Sequence, residues 1–210
     1  MDFFDIRETL LLIPGIILGF SLHEYAHAQT AVWLGDNTPR DQGRLSLNPM
    51  VHIDPVGFLM ILLARFGWAR PVQVDPSNFK NPRRDDILVS LAGPLMNLFI
   101  ALFFLILMKI TYSLPPTVLS DTLYETLMDI FDYTLWINVV LFVFNLLPIP
   151  PLDGSHIFFG VFNLKDTAFY YQFFSAGRLL LPMLIITNAL DKIIGPPIAA
   201  VYNGFFQFFF

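Results

Sequence analysis

The chain has no cysteine, so disulfides, thiolate metal sites and cysteine nucleophiles are all excluded. Charge is scarce: only 14% of the 210 residues are charged, against roughly 25% in a soluble domain. The net charge of −5 argues against nucleic acid, which needs a clustered basic face. Histidine is rarer still, with four residues at 23, 27, 52 and 156. Any metal must therefore be held by these or by carboxylate or backbone oxygen. No internal repeat or low-complexity segment is found. What the chain has in abundance is apolar bulk: 55% hydrophobic residues, 23 phenylalanines and a mean hydropathy of +0.61. That balance suits neither a water-soluble globule nor disorder. It is the composition of a protein in lipid.

A span needs ~20 mostly apolar residues to cross ~30 Å of hydrocarbon. Residues 9–34, 87–112 and 131–147 supply three core spans, and the last stops at Pro148-Ile149-Pro150-Pro151. The first is no cleavable signal peptide, because it lacks a basic leading region and runs straight into a polar cluster. The tail, residues 179–210, is apolar but broken by Asp191, Lys192 and Gly195-Pro196-Pro197, which leaves one span plus a partial helix or two short spans. Between the first two spans, residues 35–86 carry turn signals around one apolar stretch, Val56 to Trp68, too short to cross and more like a re-entrant or interfacial segment. The β-branched alternation from Ala69 through Asp75 then reads as a short strand or hairpin arm. The expected fold is an all-α multi-pass membrane protein with a small re-entrant β element between the first and second core helices, residues 1–210 forming a single integral-membrane domain.

Seven of the twelve basic residues (Arg40, Arg44, Arg65, Arg70, Lys80, Arg83, Arg84) lie between spans one and two, whereas residues 113–132 carry none. By the positive-inside rule, residues 35–86 face the cytoplasm and 113–132 lie outside. The run Lys80, Arg83, Arg84 is either this topology signal or an anionic-lipid contact.

Span one contains His23-Glu24-Tyr25-Ala26-His27, an HExxH. Two histidines four apart on a helix lie ~40° apart in angle and ~6 Å apart in height, so both imidazoles can reach one zinc ion. Glu24, rotated off that edge, can take the proton of a metal-bound water. In a soluble helix this pattern has false positives. Within an apolar span, two histidines and a glutamate are costly without a task. A catalytic zinc needs a third protein ligand. Asp153, reached by a span running the same way as the first, arrives on the same side as His27. Its plainer reading is a cap or turn residue before Gly154.

These motifs resemble the site-2 protease family of intramembrane zinc metallopeptidases. The HExxH in the first core span, Gly93-Pro94-Leu95-Met96-Asn97 in the second, and Asn145 followed by Leu152-Asp153-Gly154 after the third occur in the family's order, over roughly residues 9 to 160. The segments Gly43 to Pro49 and His52-Ile53-Asp54-Pro55 are similar to its compact subgroup, which lacks PDZ and CBS domains. The resemblance implies one zinc per chain held by His23, His27 and Asp153, Glu24 as general base, and Asn145 holding substrate or the developing oxyanion. It implies a transmembrane protein substrate, cut within or near the bilayer of the cell membrane; the placement of basic residues puts the active site towards the cytoplasm. Residues around Pro71 to Val74 resemble the family's membrane-embedded sheet, which would receive substrate as an edge strand. Asn97 either packs or lines the site. His52 is a loop histidine or a displaceable fourth ligand; His156 is an interfacial histidine or hydrogen-bonds a ligand. Rival readings are a zinc-binding membrane transporter and a non-catalytic homologue that binds clients.

Overall fold

A computed structural model describes residues 6–64, 67–165 and 167–210. Arg65, one of the seven basic residues of the topology argument, lies outside them. Among the described residues, three helices are long and apolar enough to cross a membrane: α1 (Ile6–Leu34), α4 (Pro82–Tyr112) and α5 (Asp121–Asn145). Shorter helices fill the interval between α1 and α4, namely α2 (Thr38–Asp41) and α3 (Pro55–Ala64). After α5 come α6 (Asp153–Val161), α7 (Ala168–Ile186) and α8 (Ala189–Phe209). The tail is thus two helices. α7 bends by 42° between Ala168–Gly177 and Leu179–Ile186, and would count as a fourth span if taken as one.

α5 begins ten residues before the apolar run suggested. Ser120 accepts from the Leu123 N–H, and Asp121 sits in the first turn, where the helix dipole favours negative charge. Much of the acidic segment 113–132 is therefore helix rather than loop.

α1, α4 and α5 form the frame, and glycine sets how closely they meet. A Cβ on Gly15 would lie 2.8 Å from the Thr134 Cα, and one on Gly19 would lie 2.8 Å from Leu141 Cδ1. Two glycines four apart thus let the α1 backbone press onto α5, the small-residue packing that helices use in lipid. Away from that seam, Leu105, Ala101 and Met108 of α4 and Leu135 and Val139 of α5 form a buried cluster. α8 lies over it with Ile198, Val201, Tyr202 and Phe205.

The expected β element is not formed. Among the described residues there is no strand, only an isolated antiparallel bridge between Ile53 and Ala69. That bridge closes the base of the α3 excursion. The stretch that alternates like a strand is irregular chain because its hydrogen bonds go elsewhere. Pro71 has no N–H to give, the Val72 N–H donates to Glu24 Oε2 (2.8 Å), and the Asp75 N–H donates to Asp36 Oδ2 (2.8 Å). Alternation reports a backbone that can extend; a ladder also needs a neighbouring strand. Here two carboxylates of the α1 region take that place.

Asp36, just past α1, is fully buried and anchors this stretch. It also accepts from the Thr38 N–H and hydroxyl and from the Asn78 amide. Burial alone would raise its pKa, but these hydrogen bonds outweigh it and hold the carboxyl below its ordinary value.

Candidate metal centre

α6 presents Asp153 in its first turn. The chain leaving α5 doubles back so tightly that a Cβ on Gly154 would lie 2.2 Å from the Leu146 carbonyl oxygen. The α4 start fixes the rest of α6. Arg83 donates to the carbonyls of Gly160 (2.6 Å) and Val161 (2.7 Å) at the C-terminal end of the helix, where cations are favoured. Asp86 pairs with Lys165 and lies 3.6 Å from His156 Nδ1.

The result brings three ligand-type atoms together. His23 Nε2 and His27 Nε2 are 2.9 Å apart, and Asp153 Oδ2 lies 3.2 and 3.3 Å from them. Both histidines are buried. Their other ring nitrogens are engaged: His27 Nδ1 is 2.7 Å from the Val89 carbonyl, and His23 Nδ1 is 2.7 Å from Asn97 Oδ1.

The direction of these bonds follows from the backbone. Asn138 lies within reach of the Gly15 and Thr134 carbonyls, so its amide NH2 must face them and its oxygen must accept from Asn97. Asn97 also donates to the Gly19 carbonyl, which leaves its oxygen to accept from His23 Nδ1–H. Val89 forces the same tautomer on His27. In the neutral rings each Nε2 therefore carries a bare lone pair, and these face each other and a buried carboxylate oxygen of Asp153. Three such acceptors repel unless a proton or a metal cation sits among them, and a metal takes all three lone pairs at once. Tetrahedral zinc with bonds of ~2.0–2.2 Å sets its ligand atoms about 3.3 Å apart, close to the separations found. Space has been kept as well: a Cβ on Gly93 would lie 2.4 Å from His27 Nε2 and 2.6 Å from His23 Nε2. The donor set, its tautomers and the missing side chain all fit zinc.

Glu24 is buried beside this group, its carboxylate held by the Val72 N–H. Arg44 is near enough to feel its charge. Burial, and then the neighbouring Arg70, pull that guanidinium below its usual pKa, against the opposing effect of Glu24. Asn145, Glu24 and the three ligand candidates line one cavity of about 610 Å³. One amide hydrogen of Asn145 goes to the Leu141 carbonyl of its own helix (3.0 Å).

Asn97 proves to be the partner of His23, fully buried. His156 lines the cavity and faces Asp86 rather than a ligand. His52 is not brought to the centre; its Nε2 meets the Ser46 carbonyl at 2.7 Å. Two participants escaped the sequence reading. Asn138 was visible as a polar residue in an apolar span, a signal worth following in lipid. Gly93 was visible only as part of a motif, because its role is the space it leaves.

Residues 113–184 match the family described as Peptidase family M50. The chain is 39% identical over 202 residues to "Putative zinc metalloprotease YwhC" of Bacillus subtilis, covering 94% of this chain and 90% of that one. It is 29% identical over 188 residues to "Putative zinc metalloprotease Rip2" of Mycolicibacterium smegmatis, covering 87% and 69%. The Mycobacterium tuberculosis protein of the same name is 32% identical over 151 residues, covering 69% and 54%. No solved structure matches. With identity at this level across nearly the whole of both chains, and three membrane-length helices around a zinc-compatible centre, the chain belongs to peptidase family M50, the site-2 protease family, and is a multi-pass membrane metalloprotease.

Proposed function

We propose that the chain hydrolyses a peptide bond of a membrane-spanning protein within or near the bilayer, using one zinc ion held by His23, His27 and Asp153. The observation that carries this reading is the meeting of three ligand-type atoms, two imidazole nitrogens and a carboxylate oxygen, beside the space left by Gly93. Zinc bound there supplies a Lewis acid and brings the pKa of its water towards ~7. Glu24 takes the proton from the attacking water and passes it to the leaving amine. Its bond from the Val72 N–H holds the carboxylate against the cavity wall, so it needs no reorganisation to do so. Asn145 keeps one amide hydrogen after bonding Leu141 and offers it to the carbonyl oxygen as negative charge develops. His23 and His27 are kept in the binding tautomer by Asn97 and Val89.

The bilayer in question is the cell membrane, with the centre towards the cytoplasm. Arg40, Arg44, Arg70 and Lys80 lie between α1 and α4, and Arg83 and Arg84 in the first turn of α4; this segment reaches the centre through the Val72 bond to Glu24 and so lies on the centre's side of the frame. The test pairs wild type with Glu24→Gln, measuring zinc by elemental analysis and cleavage of a designed transmembrane peptide. One zinc in each, with cleavage by wild type alone, is the expected result. Zinc in both with no cleavage of a panel of helices would favour the binding or transport reading. Equal cleavage by both would remove Glu24 as the base.

A further inference from the structure

A second cavity, of about 890 Å³, runs beside the metal cavity between α1, α3, α5 and α8. The two share Phe20, Gly67, Leu141 and Phe144 in their walls, so the larger opens onto the smaller at the level of Asn145. Its length can be followed along α8. Leu190 and Ile194 pack with Val143, one turn from the metal cavity, whereas Tyr202 packs with the cluster around Leu105 and Leu135 at the far end. Between these ends the wall is apolar, with Ile16, Trp136, Val140, Ile194 and Ile198. One ionisable carboxylate interrupts it. Asp191 stands at the metal end, exposed and with no hydrogen bond or ion pair among the described residues. Its neighbour Lys192 is not part of the wall.

We propose that this groove seats the apolar segment of the substrate and that Asp191 selects segments bearing a lysine or arginine at the flank nearest the metal. The inference rests on the reading of the chain as a protease of membrane-spanning substrates. An unpaired carboxylate at the end of an apolar trough complements a cation that ends an apolar run. Membrane proteins carry such cations on their cytoplasmic flank. With the centre facing the cytoplasm, substrate charge and Asp191 come to the same level. Phe20, Leu141 and Phe144 then form the passage through which the scissile stretch reaches the metal cavity, and their bulk favours small residues there.

The test uses the full chain in detergent with two designed transmembrane peptides that differ only in a lysine or glutamate pair at one flank. Wild type cuts the lysine-flanked peptide about two- to five-fold better, the range expected of an exposed ion pair, and the difference lies in KM. Asp191→Lys inverts the preference with zinc content unchanged. A preference that survives Asp191→Lys overturns the role of Asp191. Independently, a photo-reactive phenylalanine analogue at position 199, an exposed groove residue, captures the labelled peptide in the Glu24→Gln background. Absence of capture overturns the groove. Capture by a protein whose wild-type form cuts neither peptide keeps the groove and overturns the proposed hydrolysis instead.

Discussion

Replacing Gly93 by alanine tests the metal centre with a single methyl group. The new Cβ would stand 2.4 Å from His27 Nε2 and 2.6 Å from both His23 Nε2 and His23 Cε1. Real Cβ atoms essentially never come nearer than 3.0 Å, so His27 Nε2 would have to retreat by at least about 0.6 Å. Neither ring is free to do so, since Val89 and Asn97 hold the opposite nitrogens at 2.7 Å. Zinc–ligand distances tolerate only ~0.2 Å, a third of the required movement. The expected outcome is zinc affinity reduced by at least about 100-fold, comparable to the upper range for lost supporting contacts, with cleavage falling in step. Folding is not expected to explain the loss, because alanine in a helix interior is favoured over glycine by ~1 kcal/mol. The assay is a chelator competition followed by elemental analysis, alongside helical circular dichroism and peptide cleavage. A Gly93→Ala protein that holds one zinc with wild-type affinity and cuts normally would refute the assignment of this space to the metal.

Two further outcomes follow from the same contacts. Asn97→Leu removes the acceptor of His23 Nδ1–H and leaves Asn138 Oδ1 without its donor; zinc affinity should fall about 10- to 100-fold while the helices persist, read by the same competition. Unchanged affinity would show that His23 needs no such partner. Asp36→Ala strips four hydrogen bonds that tie residues 38, 75 and 78 to the end of α1, at a cost of about 2–4 kcal/mol, and loosens the Val72 hold on Glu24. Since the folded protein holds the Asp36 carboxyl below its ordinary value, its stabilisation is present above the normal carboxylate range near pH ~4 and is lost as pH falls through the depressed folded value. Thermal melting between neutral and acidic pH should therefore fall less steeply in Asp36→Ala than in wild type, and parallel curves would contradict the account.

Much of this protein is written locally. Apolar runs of span length dictate helices in lipid whatever surrounds them, because every backbone group must be satisfied within the segment. Residues 87–112 lie within the observed α4, and residues 9–34 within α1. The HExxH pair is equally local: four residues of helix set His23 and His27 side by side, whatever the rest of the chain does. The strand expected from Ala69 to Asp75 failed for the complementary reason. Alternation is a property of a segment, whereas a ladder is a property of two, and here Glu24 and Asp36 took the N–H groups that a neighbouring strand would have used.

The sequence by itself determined the three core spans, the absence of thiolate chemistry, and a pair of imidazoles on one helical edge. Only the tertiary structure decided how the centre is completed. Asp153 lies 126 residues beyond His27 and reaches it because Gly154 lets the chain fold back and Arg83 and Asp86 hold α6 against α4. The tautomers of both histidines depend on carbonyls and amides of three different helices. Such long-range polar contacts are strong only where packing has removed water, and no local pattern can show which groups will meet there.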